Sequence, residues 1–154
     1  MKNLFTFLFV LFLSFSSAFA FVSPDNETAR YNTDYPPTSE SLHNEAVRAE
    51  SSAQWRRFSV NLIQALQSSH KGVQATAMRY VILYADHVEV SEAAIDVMRI
   101  YRNDDDLNRR RMAVVTLGSM KNQWAFRFLE RSVQFEKSEI VAQTIMAVLA
   151  RENA

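Results

Sequence analysis

No cysteine occurs among the 154 residues of this chain. That absence excludes a disulfide, a thiolate metal site, a cysteine nucleophile and a lipid attached through cysteine. Glycine is reduced to two positions, Gly72 and Gly118, so there is no glycine-rich phosphate loop, and no G-x-S-x-G elbow presents a serine nucleophile. Proline is confined to Pro24, Pro36 and Pro37, which leaves the chain from Ser39 to Ala154 without a helix breaker. Net charge is absent as well. The 17 basic and 17 acidic residues cancel, whereas a general nucleic-acid binder carries a basic excess. The three histidines, His43, His70 and His87, stand in separate segments without the spacing of a zinc site, and are expected in turns or on the surface. No metal and no cofactor is therefore expected.

What the chain does have begins at its first residue. The opening MKNLFTFLFVLFLSFSSAFA joins one early cation, Lys2, to an apolar run from Leu4 to Phe15 and ends on Ala18-Phe19-Ala20. Basic start, short apolar core and small-residue end are the three parts of a secretory signal peptide. The run is shorter than the ~20 residues of a spanning helix, so cleavage after Ala20 is expected in preference to an uncleaved anchor. Export to a periplasm or to the medium follows, with Phe21 as the mature start. Removing the leader leaves 16 basic and 17 acidic residues and takes away six of the 11 phenylalanines. No second apolar run of spanning length follows, so no other contact with a membrane is expected.

Residues 21–38, FVSPDNETARYNTDYPPT, hold every proline and no helical or strand period, and read as a disordered linker or arm. The Asn26-Glu27-Thr28 triplet within it matches a glycosylation acceptor pattern that is common by chance. Residues 39–154 form the domain. Apolar residues there recur at spacings of three and four, and strand-type alternation is nowhere sustained. The spacing predicts helices at about 40–50, 53–68, 73–86, 92–102, 106–119, 123–136 and 139–151. Ser39, Ser91, the run Asp104 to Asp106, Asn122 and Ser138 are their expected N-caps, because a side-chain oxygen there accepts from the free N–H groups of a first turn. Gly72 and Gly118 are expected as helix ends that tolerate a left-handed backbone.

Six of these helices pair off into a repeat. Leu66, Ile100 and Val133 correspond at separations of 34 and 33, as do Val73, Leu107 and Ile140. The same shifts align Met78, Met112 and Ile145, and then Val81, Val115 and Val148. Bringing Ala113 over Ala77 requires 36 instead. A helix pair cannot bury its apolar face alone, so a period of this length implies stacked units. The expected fold is all-α: a short α-solenoid of about three helix pairs with an N-terminal capping helix.

The segments NLIQALQSSHKGVQATAMRYV (61–81), AIDVMRIYRNDDDLNRRRMAVVTLGSM (94–120) and FLERSVQFEKSEIVAQTIMAVLA (128–150) carry a further likeness. Each has an apolar first helix, a polar turn and a second helix with V/L/I-x-x-x-x-M/I. In these features the chain resembles the HEAT-repeat family, including short exported bacterial members. The central unit comes closest, with Asp in the turn, Arg opening the second helix, and Ala113, Leu117 and Gly118 closing it. Gln74 and Val141 depart from the pattern. The resemblance implies that turn aspartates and second-helix arginines form a ladder between units. Asp104, Asp105 and Asp106 would then be caps and ladder residues, which also suits carboxylates at a helix N-terminus.

Arg109, Arg110 and Arg111 span about 200° of helix, so they cannot all face one ligand. One is expected to be structural and two solvated. The outward ones, with Arg79 and Arg151 on the other second helices, are candidate residues for binding an acidic segment of a partner. The expected function is a non-enzymatic scaffold that binds a protein or peptide. Two alternatives are an accessory subunit of an envelope complex docking through its terminal helices, where Ile145, Val148 and Leu149 lie near the end, and a HEAT-like lyase-type enzyme.

Overall fold

The computed structural model describes residues 36–152, the side chain of Glu152 excepted. The expected leader (1–20), and the arm up to residue 35, lie outside the described residues. Seven α-helices hold most of the described residues: α1 (Ser39–Arg48), α2 (Ser52–Gln67), α3 (Lys71–Leu83), α4 (Ala94–Asn103), α5 (Leu107–Ser119), α6 (Gln123–Ser132) and α7 (Glu139–Glu152). No strand occurs among the described residues. The domain is all-α.

Local chemistry explains four of the seven helix starts. Asp106 accepts from the Asn108 N–H, and Asn122 from those of Trp124 and Ala125, as expected of caps. For α1 the cap is Thr38, one residue earlier than expected, in a reciprocal box with Ser41. Ser51 and Gln54 form the same kind of box at α2. Ser91 does not cap α4. It opens a 3-10 turn (Ser91–Ala93), and its hydroxyl donates to Glu89 at 2.5 Å. The sixth helix stops at Ser132, and a 3-10 turn (Val133–Phe135) follows, so that Glu136 lies outside it.

Helices pack in a regular order. Each of α3, α5 and α7 lies against the helix before it, and α3 also packs on α5, which packs on α7. The α1 helix covers α2 and α3. Leu62, Leu66, Met78, Val81, Val114, Leu117, Leu129 and Ile145 are fully buried along this line. Each buried side chain of this size contributes about 1.5–3 kcal/mol.

Burial corrects the expected register. The helix starts Lys71, Leu107 and Glu139 lie 36 and 32 residues apart. On that footing Ala77 matches Ala113, Met78 matches Val114 and Val81 matches Leu117, all at 0% exposure. The expected partners Met112 and Val115 are only half-buried, while Leu107 (44%) and Ile140 (45%) are exposed. On α6, Trp124 is 54% exposed, and Phe126 takes the buried place.

Neither glycine has a left-handed backbone; that conformation belongs to Lys121, at φ 50°. Gly118 lies within α5, where an added Cβ would collide with Cγ1 of Val148. Its function is to let α7 approach.

Candidate functional site

The turn before α5 is a closed set of polar contacts. Asp104 accepts from the Asp106 N–H at 3.0 Å and from Nε of Arg109 at 2.7 Å. Arg109 also reaches back to the preceding unit. It donates to the Lys71 carbonyl (2.5 Å) and to Oε1 of Gln74 (2.8 Å). Lys71 stands 3.6 Å from the same Asp104 carboxylate. Burial would raise the Asp104 carboxyl, but the hydrogen bonds from Arg109 and Asp106 and the charges of Arg109 and Lys71 hold it below the usual value.

The turn before α7 repeats this design with different residues. Glu136 accepts from the Ser138 N–H (2.9 Å), from the Tyr101 hydroxyl (3.0 Å) and from Arg110 (2.5 Å). Arg110 also donates to the Tyr101 carbonyl, and its guanidinium lies 5.6 Å from the centre of the Tyr101 ring. Burial works against ionisation of Glu136, yet the Ser138 N–H, the Tyr101 hydroxyl and Arg110 together keep its carboxyl below the ordinary range. Tyr101 is pushed up to about 12, first by burial and then by donating to Glu136.

The arginine triplet is therefore more structural than expected. Arg109 and Arg110 each hold a turn carboxylate, with side chains 11% and 19% exposed. Arg111 is half-buried, and its Nε lies 3.2 Å from the Thr144 hydroxyl of α7. None of the three is fully solvated. Of the acidic triplet, Asp104 pairs with Arg109 of its own unit, Asp106 is the cap, and Asp105 is exposed. Arg79 is exposed on α3. Arg151 is exposed on α7, where its charge helps Lys121 to keep the Asp86 carboxyl below its ordinary value.

An open groove of about 550 Å³ lies where the ends of α4 and α6 face each other across the start of α5. It exists because α4 and α6 make at most a marginal backbone approach, while α5 holds both. Tyr101 and Phe128 meet edge-on in it, ring centres 5.8 Å apart, with the Arg110–Glu136 pair beside them. Arg102, Arg131 and Lys137 line it, each exposed and none with an ion-pair partner among the described residues. Phe135 lines it too and is 76% exposed.

Arg102, Arg131, Phe135 and Lys137 were not among the expected site residues. Their signal is weak, since each is a common residue type and the four come together only through the packing of α4 and α6 on α5.

Among the described residues, no group of three or more His, Asp or Glu side chains is placed to hold a metal ion. No buried side-chain polar atom there lacks a partner, and no helix is long and apolar enough to cross a membrane. No protein-family model, no curated protein and no solved structure matches this chain.

Proposed function

We propose that this chain is an exported, non-enzymatic interaction scaffold. In this reading it is a short stack of HEAT-like helix pairs that holds a segment of a protein or peptide partner in the groove between α4, α5 and α6. The observation that carries the proposal is the exposed Phe135 beside Arg102, Arg131 and Lys137, three cations with no ion-pair partner among the described residues. Aromatics and arginines are the residue types enriched at binding hot spots.

The packing succession α3, α5, α7 supports the stacked-repeat part. So do the turn carboxylates Asp104 and Glu136, each held by an arginine of α5. The leader supports export, with cleavage after Ala20. Binding is favoured over a lyase-type reaction by the state of the groove's carboxylate. Three donors, the Ser138 N–H, the Tyr101 hydroxyl and Arg110, already occupy the oxygens of Glu136, so it is not free to take a proton from a substrate.

A second reading, docking of the terminal helices in an envelope complex, is favoured by Ile140 and Met146, exposed on α7 at 45% and 52%. A photo-crosslinking amino acid placed at Phe135, Met146 or Val47 of the mature chain separates the two. The scaffold reading expects a partner captured at position 135 and lost when Arg102→Glu is added. Capture at Met146 alone supports the second reading, and equal capture at all three positions contradicts both.

A further inference from the structure

Two hollows of the same kind run between successive helix pairs, and they differ in charge. The first, between α2–α3 and α4, is lined by Lys71, Arg99, Asp96 and Asp104. Asp96 holds Arg99 at 2.8 Å and Asp104 holds Lys71 at 3.6 Å, so its charges are satisfied internally. The second is the groove described above. Its one lining carboxylate, Glu136, is consumed by Arg110, which leaves three exposed cations on three different elements. Arg102 comes from α4, Arg131 from α6 and Lys137 from the turn before α7.

We infer that the second groove takes an acidic linear segment of a protein partner, with carboxylates against Arg102, Arg131 and Lys137 and an apolar side chain against Phe128 and Phe135. The inference rests on the scaffold reading and adds the chemistry of the occupant. Charge complementarity selects the sign, because a basic or neutral segment would leave three cations desolvated without partners. The spread of the cations selects a chain over a small anion. They lie on three separate elements along an open groove, and among the described residues no buried polar atom is left unpartnered to orient a compact ligand. The rings select a chain over an anionic lipid surface. Phe128 is half-buried inside the groove with its ring edge-on to Tyr101, where a flat bilayer does not reach but an inserted side chain does.

The test is fluorescence anisotropy on the mature protein with a labelled Gly-Glu-Glu-Phe-Glu-Glu-Gly peptide. Its companions are the same peptide with Gln for Glu, the same peptide with Lys for Glu, and vesicles containing anionic lipid. The acidic peptide is expected to bind, and Arg102→Glu with Arg131→Glu to weaken it by roughly tenfold or more. High salt should weaken it too. Arg48→Glu, on α1, should leave binding unchanged, and circular dichroism should show both variants as helical as the parent. If the Gln peptide binds as tightly and still competes at a crosslinker in position 135, the acidic occupant is wrong while the scaffold reading stands. If no peptide binds at about 1 mM, or only the vesicles do, the inference and the groove reading fall together.

Discussion

The turns before α5 and α7 solve one problem in two ways. Each must tie the first helix of a pair to the second, and each uses a nearly buried carboxylate with an arginine from α5. Asp104, 6% exposed, has two cations, Arg109 at 2.7 Å and Lys71 at 3.6 Å. Glu136, 2% exposed, has Arg110 as its single cation among the described residues and makes up the difference with the Tyr101 hydroxyl. The first turn closes its surroundings, since the neighbouring hollow has matched charges. The second uses up its only carboxylate on Arg110 and leaves the neighbouring cations without an ion-pair partner among the described residues. Structural thrift at Glu136 is thus what makes the adjoining groove positive.

That contrast predicts unequal losses. Arg110→Ala leaves a nearly buried carboxylate without a countercharge and should cost about 3 kcal/mol in urea unfolding. Arg109→Ala, which leaves Lys71 beside Asp104, should cost clearly less; equal losses would break the distinction between the turns. Next in size is Gly118→Ala, near the other end of α5. Its methyl group would collide with Val148, for a loss of about 1–3 kcal/mol that Val148→Ala in the same chain should partly restore.

The pH dependence sharpens the same contrast. Asp104 and Glu136 both titrate below their ordinary values, so their contribution is complete above an unfolded pKa of about 4 and is lost as pH falls through the lower folded values. Thermal melts should decline below about pH 4, and Glu136→Gln should flatten part of that decline. Tyr101 runs the other way. Raised to about 12, it stabilises fully below its unfolded value near 10 and loses that contribution as pH climbs towards 12. Tyr101→Phe should therefore show a smaller alkaline loss than the parent. The least effect belongs to Asp86→Asn, because Asp86 and Lys121 are 81% and 65% exposed and their pairing is screened by water. No change in melting temperature is expected there.

Helix number, the caps Asp106 and Asn122 and the pairing of neighbouring helices were legible in the sequence because they depend on local chemistry and on the 3.6-residue period. Register was not. Met112 and Val115 look as apolar as Val114 and Leu117, and only the phase of α5 against α3 decides which pair faces inward. The role of Gly118 depends on Val148, thirty residues on, and leaves no local trace. The arginine triplet drew attention through its charge, but Glu136 was hidden inside a stretch read as helix, so the partner that makes Arg110 structural went unseen. The groove residues were missed for a related reason: Arg102 and Arg131 gain significance only from each other, across two helices.

The most direct test is an amide chemical-shift map of the mature protein titrated with the acidic peptide. Shifts are predicted around Tyr101, Phe128 and the 131–137 turn, with none around Leu66, Lys71 and Asp96 in the charge-matched hollow. Equal shifts in both hollows, or shifts confined to the first, would contradict the account.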